Sequence, residues 1–121
     1  MPQRKTIDDF IARVELGHYD TAIELFYADD ASMQENFDPP RQGRDLLVTH
    51  ERGVMGTFAK ITAQHVGPVL VEGDHSVIRW KFEFHTRDGK TMTLDELTYQ
   101  RWRGEKIVEE RFYYDPKQMR G

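Results

Sequence analysis

The chain has 121 residues, 17 of them basic and 21 acidic, for a formal net charge of −4. It contains no cysteine, which excludes disulfides, thiolate metal centres and thiol nucleophiles. The acidic balance argues against a nucleic-acid partner, which calls for a basic face; no apolar run approaches the roughly 18 residues of a membrane span.

A chain of this length buries roughly two-thirds of the surface its unfolded form exposes, enough for one core without staples. Residues 1–121 are therefore read as a single domain. Met1 to Thr6 lack the apolar centre of an export signal, so a cytoplasmic protein is expected.

Thr6 followed by Asp9 is a weak capping-box variant at a helix start. Ile7, Phe10, Ile11 and Val14 then recur at i, i+3, i+4 and i+7, the apolar face of a first helix that Gly17-His18 ends. A short second helix takes Asp20 as its N-cap, turns Ala22, Leu25 and Phe26 inward and closes at Asp29-Asp30. Ala31 to Asn36 reads as a strand with Ala31, Met33 and Glu35 on one face. Phe37 to Gly43 is a loop, because Pro39 and Pro40 obstruct both helix and ladder. Arg44 to about Thr57 is a third helix striped by Leu47, His50 and Val54, with Gly53 and Gly56 weakening it.

From Ile61 the pattern becomes strands and turns. Gly67-Pro68 predicts a bulge or bend in the first of them, and Gly73-Asp74 a turn. Val77 to His85 alternates Ile78, Trp80, Phe82 and Phe84 with Arg79, Lys81, Glu83 and His85. Asp88-Gly89 is a hairpin signal leading into a strand over Thr91 to Trp102. Arg103-Gly104-Glu105 turns the chain into a last strand, Lys106 to Tyr114, and a polar tail follows Pro116. This order implies an α+β fold, three helices packed in the concave face of a strongly curved, mostly antiparallel sheet with a pocket at its open end.

No pair of histidines has metalloprotease spacing: His50-Glu51 is followed by Val54 where a second histidine would stand. Calcium loops, phosphate loops and nucleophile elbows are missing too. No metal and no cofactor are expected.

The phrases Gly17-His18-Tyr19-Asp20, Leu25-Phe26-Tyr27-Ala28-Asp29-Asp30-Ala31, Gly43 before the third helix, and Trp102 to Glu110, taken in this element order, resemble the nuclear-transport-factor-2-like superfamily. Within it the chain is most similar to the SnoaL-like polyketide-cyclase and ketosteroid-isomerase-like branch. The resemblance implies a cystatin-like cone; it leaves function to be argued from the site, because the superfamily hosts isomerases, cyclases, dehydratases, hydrolases and non-catalytic proteins.

Counting from Ala31, the position of the isomerase base falls on Glu35, a carboxylate suited to removing a proton beside a carbonyl. The isomerase oxyanion tyrosine falls on Phe10, which has no hydroxyl, and its protonated aspartate falls on Thr98. A missing oxyanion donor costs about 100- to 1,000-fold in rate, so efficient steroid isomerisation is not implied.

If Thr98 points inward, so do Glu96 and Gln100; the same alternation turns Val108, Glu110, Phe112 and Tyr114 inward and leaves Ile107, Glu109, Arg111 and Tyr113 outside. Either these acids line a wet pocket or a bulge shifts the register and moves them out. The expected lining is Phe10, Met33, His50, Trp80, Phe82, Phe84, Glu96, Thr98, Gln100, Glu110, Phe112 and Tyr114, with Glu35 as the catalytic residue. Glu35 has a second reading, a rim carboxylate paired with Arg41 or Arg44. Those arginines flank a Pro-Pro loop and are expected in solvent, so burial and neighbouring carboxylates would favour a protonated Glu35.

Two functions stay open. One is a cofactor-free isomerase, cyclase or dehydratase acting on a mostly apolar carbonyl compound by carboxylate acid–base chemistry. The other is a non-catalytic ligand-binding or assembly module. Leu97, Tyr99, Ile107 and Tyr113 on the outer sheet face, among paired charges, imply a homodimer.

Overall fold

A computed structural model describes residues 1–120. Three helices, α1 (Arg4–Glu15), α2 (Tyr19–Phe26) and α3 (Arg44–Thr57), pack on one curved six-stranded sheet. Its strands are β1 (Tyr27–Glu35), β2 (Arg41–Gln42), β3 (Lys60–Glu72), β4 (His75–His85), β5 (Thr91–Arg103) and β6 (Lys106–Tyr113), in the order β2-β1-β6-β5-β4-β3. All neighbours are antiparallel except β1 and β6, which run parallel. No described helix is long and apolar enough to cross a membrane.

α1 buries the expected face, Ile7, Phe10, Ile11 and Val14. It starts at Arg4, before the predicted box, with Gln3 as an N-cap that makes no side-chain bond. Arg4–Asp8 and Lys5–Asp9 pairs on the solvent side span one turn each, the i, i+4 spacing that supports a helix. Its end is set by Gly17 at φ 85, which lets Gly17 N–H bond the Val14 carbonyl and His18 N–H the Arg13 carbonyl. That is the two-bond C-terminal cap that favours a residue without Cβ.

Three further segments and one side-chain face differ from the sequence reading. α2 stops at Phe26 and β1 begins at Tyr27, not Ala31, because the backbone turns extended at Tyr27 to pair with Ile107. Arg41 and Gln42 form a two-residue strand on β1 where a loop was expected, since the prolines lie before it and obstruct nothing in its ladder. Ile107 is fully buried rather than outside: the pairing shifts between Arg101 and Trp102, one extra residue enters β6, and its parity flips below Glu109. The tail is a short 3-10 turn, Pro116–Met119, whose Gln118 side chain bonds both backbone groups of Asp95.

The core is continuous from the helices to the sheet: Ile7, Phe10, Leu47, Ile78, Trp102 and Ile107 are each at most 3% exposed. Gly67, at φ 74, sits where the β3–β4 register slips between Val66 and Leu70. With the β6 bulge, this second irregularity bends the sheet over the helices and leaves a cavity between them.

Candidate functional site

Strand register decides which side chains meet over the concave face. On one row, β1 Glu35 lies beside β6 Phe112, which lies beside β5 Thr98. On the next, Met33 lies beside Glu110, Glu110 beside Gln100, and Gln100 beside β4 Ser76. Glu96 stands opposite Trp80. With side chains of one face repeating every second residue, three of the glutamates come from three strands to one surface.

They open on a cavity of about 320 Å³ under α1, α2 and α3, at the small end of the range for small-molecule sites. Phe10, Met33, Glu35, His50, Trp80, Phe82, Phe84, Glu96, Thr98, Glu110, Phe112 and Tyr114 line it. Gln100, expected on the wall, does not: it is fully buried behind Glu110. His50 is exposed at the edge of the cavity, because the inward stripe of α3 runs through Leu47, Glu51 and Val54 instead and leads to Phe58 just past its end. Both 50 and 51 fit the helical repeat after Leu47, so the signal for Glu51 was present in the spacing.

Arg41 reverses an expectation. Its pairing with Met33 turns it to the concave face, and its Nη1 lies 2.6 Å from Glu35 Oε2, both side chains 26% exposed. Glu35 therefore lines the cavity and also holds an arginine pair. Burial acts on three further carboxyls of the cavity. Burial, then the charges of Glu110, Glu35 and Glu51, push Glu96 up to about 8. Burial likewise lifts Glu51 to about 7, against the pull of Arg41, and Glu110 to about 7, against the bonds it accepts.

Those bonds form a buried chain behind the cavity. Trp102 Nε1 donates to Ser76 Oγ at 2.9 Å, Ser76 to Gln100 Oε1 at 2.7 Å, and Gln100 Nε2 to Glu110 Oε2 at 2.6 Å. The Tyr27 hydroxyl donates to the other Glu110 oxygen. Every member is nearly unexposed, which fixes Glu110 and spends its lone pairs on the protein. Gln100→Leu strands the Ser76 donor and one Glu110 oxygen at once; it is expected to cost about 3 kcal/mol of stability in urea unfolding.

Phe10 is a hydrocarbon wall, packed edge-on to Phe26 and Trp102 at 5.6 and 6.4 Å and tilted against Tyr27 at 6.1 Å. Among the described residues no three His, Asp or Glu side chains gather as a metal site requires.

Residues 7–110 match the SnoaL-like domain family. The chain belongs to that family. No curated protein matches the sequence. Among solved structures, this SnoaL-like domain is similar to a protein from Mesorhizobium loti assigned as a SnoaL-like polyketide cyclase, with 26% identity over 92% of this chain and 97% of that one and a TM-score of 0.76. A nuclear-transport-factor-2-like protein of unknown function from Burkholderia pseudomallei shares the fold at a TM-score of 0.82, with 14% identity and 96% and 92% of the chains covered. A third, from Jannaschia, assigned as a SnoaL-like polyketide cyclase, shares it at 0.79, with 11% identity over 95% and 89%. In this SnoaL-like domain the position counted as the isomerase aspartate is Thr98, and a carboxyl, Glu96, lies one pleat repeat earlier on the same face, about 7 Å along β5.

Proposed function

We propose that the chain binds a small, mostly apolar carbonyl compound in this cavity and moves a proton on it without a cofactor. In this reading Glu35 is the general base and Glu51 the acid that returns the proton. The observation carrying it is the asymmetry of two carboxyls on one apolar cavity: Glu35 is compensated by Arg41, while burial keeps Glu51 near its protonated form. A carboxylate held in an ion pair can accept a proton, and a carboxyl that burial holds towards its protonated form can return one. Removal of a proton beside a carbonyl opens isomerisation, aldol-type cyclisation and dehydration alike. Arg41, adjacent to the base, offsets negative charge that develops on the carbonyl oxygen.

The test is deuterium wash-in at the α-carbon of β-tetralone, an enolisable bicyclic ketone, followed by proton NMR in heavy water. The protein is expected to accelerate exchange over buffer. Binding of the ketone with exchange no faster than in buffer would leave a non-catalytic binding module, a reading that the hydrocarbon character of Phe10 favours.

A second copy of the chain is the proposed cover for the outer sheet face. Leu97, Tyr99 and Tyr113 are 47, 44 and 41% exposed there, beside the Arg79–Asp95 and Arg101–Glu109 pairs. Mixed apolar and paired charged groups suit a self-complementary two-fold contact. Ile107, once counted with this patch, lies in the core. Sedimentation at micromolar concentration is expected to give twice the 14.3 kDa chain mass, and Tyr99→Glu the single mass. A wild-type protein of single mass removes the dimer.

A further inference from the structure

The polar groups of the cavity divide unevenly. Its walls carry four glutamates, Glu35, Glu51, Glu96 and Glu110, against one arginine, Arg41. Glu35 takes Arg41, and Glu110 takes Tyr27 and Gln100. Two of the three phenols on the wall are committed, Tyr27 to Glu110 and Tyr19 to the Ile61 carbonyl, while the Tyr114 phenol and the buried Thr98 hydroxyl have no partner among the described residues. Glu96 is left over: it is 6% exposed, faces the cavity from the middle of β5, and no described side chain or backbone group hydrogen-bonds its carboxyl. A carboxyl buried without a partner is costly as an anion and leaves bonding capacity unused as an acid.

The surroundings of Glu96 select the partner. Trp80 lies directly across from it on β4, and Phe82 and Tyr19 continue the aromatic wall. Aromatic faces and an unpaired carboxylate both attract an organic cation. A ligand carboxylate would meet like charge at Glu96, and the uncommitted donors, the Thr98 hydroxyl, Arg41 Nε and the Tyr114 phenol, suit a neutral oxygen elsewhere on the same ligand, whereas an ionised Glu96 offers only acceptors. A bare metal ion does not fit, because the acids are spread around the cavity rather than gathered.

We propose that the ligand of this cavity carries a protonated amine on an apolar frame, with the ammonium seated on the Glu96 carboxylate beside the Trp80 indole. The inference rests on the cavity being the ligand site of the proposed function, and it narrows the substrate to amino-carbonyl compounds. Seating the cation requires an ionised Glu96. The groups that face it are Glu110 on β6, Glu35 and Tyr27 on β1, Arg41 on β2, Glu51 on α3 and Tyr114 after β6; burial and the three acids hold its proton on up to about pH 8. Amine binding below that pH therefore releases a proton, and it tightens as pH rises towards 8.

Calorimetric titration with three probes on one frame tests this: phenylbutylamine, phenylbutanol and phenylbutyrate. The amine is expected to bind about tenfold or more tighter than the alcohol, with the carboxylate weakest. Its affinity is expected to rise from about pH 6 to about pH 8 while that of the alcohol stays level. Glu96→Gln is expected to remove both the amine preference and its pH dependence and to leave the alcohol unchanged. Alcohol or carboxylate binding as tightly as the amine overturns the proposal, as does an amine preference that survives Glu96→Gln. A wild-type protein that exchanges β-tetralone but shows no amine preference overturns this inference alone; a wild-type protein with the preference and no exchange overturns only the catalytic reading.

Discussion

Glu35→Gln is expected to slow catalysed α-proton exchange on β-tetralone by about 100- to 10,000-fold, the usual contribution of a positioned general base. Glutamine keeps the shape of the side chain and its place beside Phe112 but cannot accept the proton. The cost in stability is small, about 1 kcal/mol or less, because the lost partner Arg41 is itself partly in solvent. Arg41, released, turns its whole charge on Glu51, whose proton it already weakens. In the wild-type protein kcat for conversions that need the acid is expected to fall as pH rises through about 7, where Glu51 ionises. Glu51→Gln should remove that fall and slow exchange as well, because in this reading the deuteron is returned through Glu51. A Glu35→Gln protein that exchanges at the wild-type rate assigns the base elsewhere.

Stability is expected to decline as pH rises from mildly acidic to mildly alkaline. Glu96, Glu51 and Glu110 titrate at about 8, 7 and 7 in the folded chain, against an ordinary 4.5. Between those values the folded state binds more protons than the unfolded state, so unfolding free energy falls with pH. Each group contributes up to about 1.4 kcal/mol per pH unit within its window. The stabilisation is fully present near the ordinary carboxylate value and lost through about 7 to 8.

The acids shifted the other way oppose this only below their ordinary values. They include Asp20 beside Arg52, Asp30 beside Arg103 and Asp95 beside Arg79, whose stabilisation fades as pH falls. Urea unfolding is therefore expected to give a lower free energy at about pH 8.5 than at about pH 5.5. Glu96→Gln should flatten the difference and be more stable than wild type at the higher pH. Equal stability at the two pH values would mean that water reaches these carboxyls.

Much of this arrangement is carried by local pattern. The period of Ile7, Phe10, Ile11 and Val14 predicts α1, and the alternation of Ile78, Trp80, Phe82 and Phe84 predicts the aromatic wall of β4. Those periods come from backbone geometry that each segment holds alone, and they place Glu96, Thr98 and Glu110 on the concave face once one of them is known to point inward. Glu51 lay within reach of the same reasoning, because both it and His50 continue the stripe from Leu47, and only packing against the sheet chose between them. Arg41 carried no such signal. Its direction follows from a two-residue strand pairing with Met33, a contact whose partner lies across the Pro-Pro turn. Ile107 was equally hidden, since one inserted residue in β6 reverses its face and no period records an insertion. The α+β order, the helix faces and the presence of acids on the inner sheet surface thus follow from periods carried along the chain. Which acid is paired, which is bonded and which is left free depends on register between strands distant in the chain, and no local period records it.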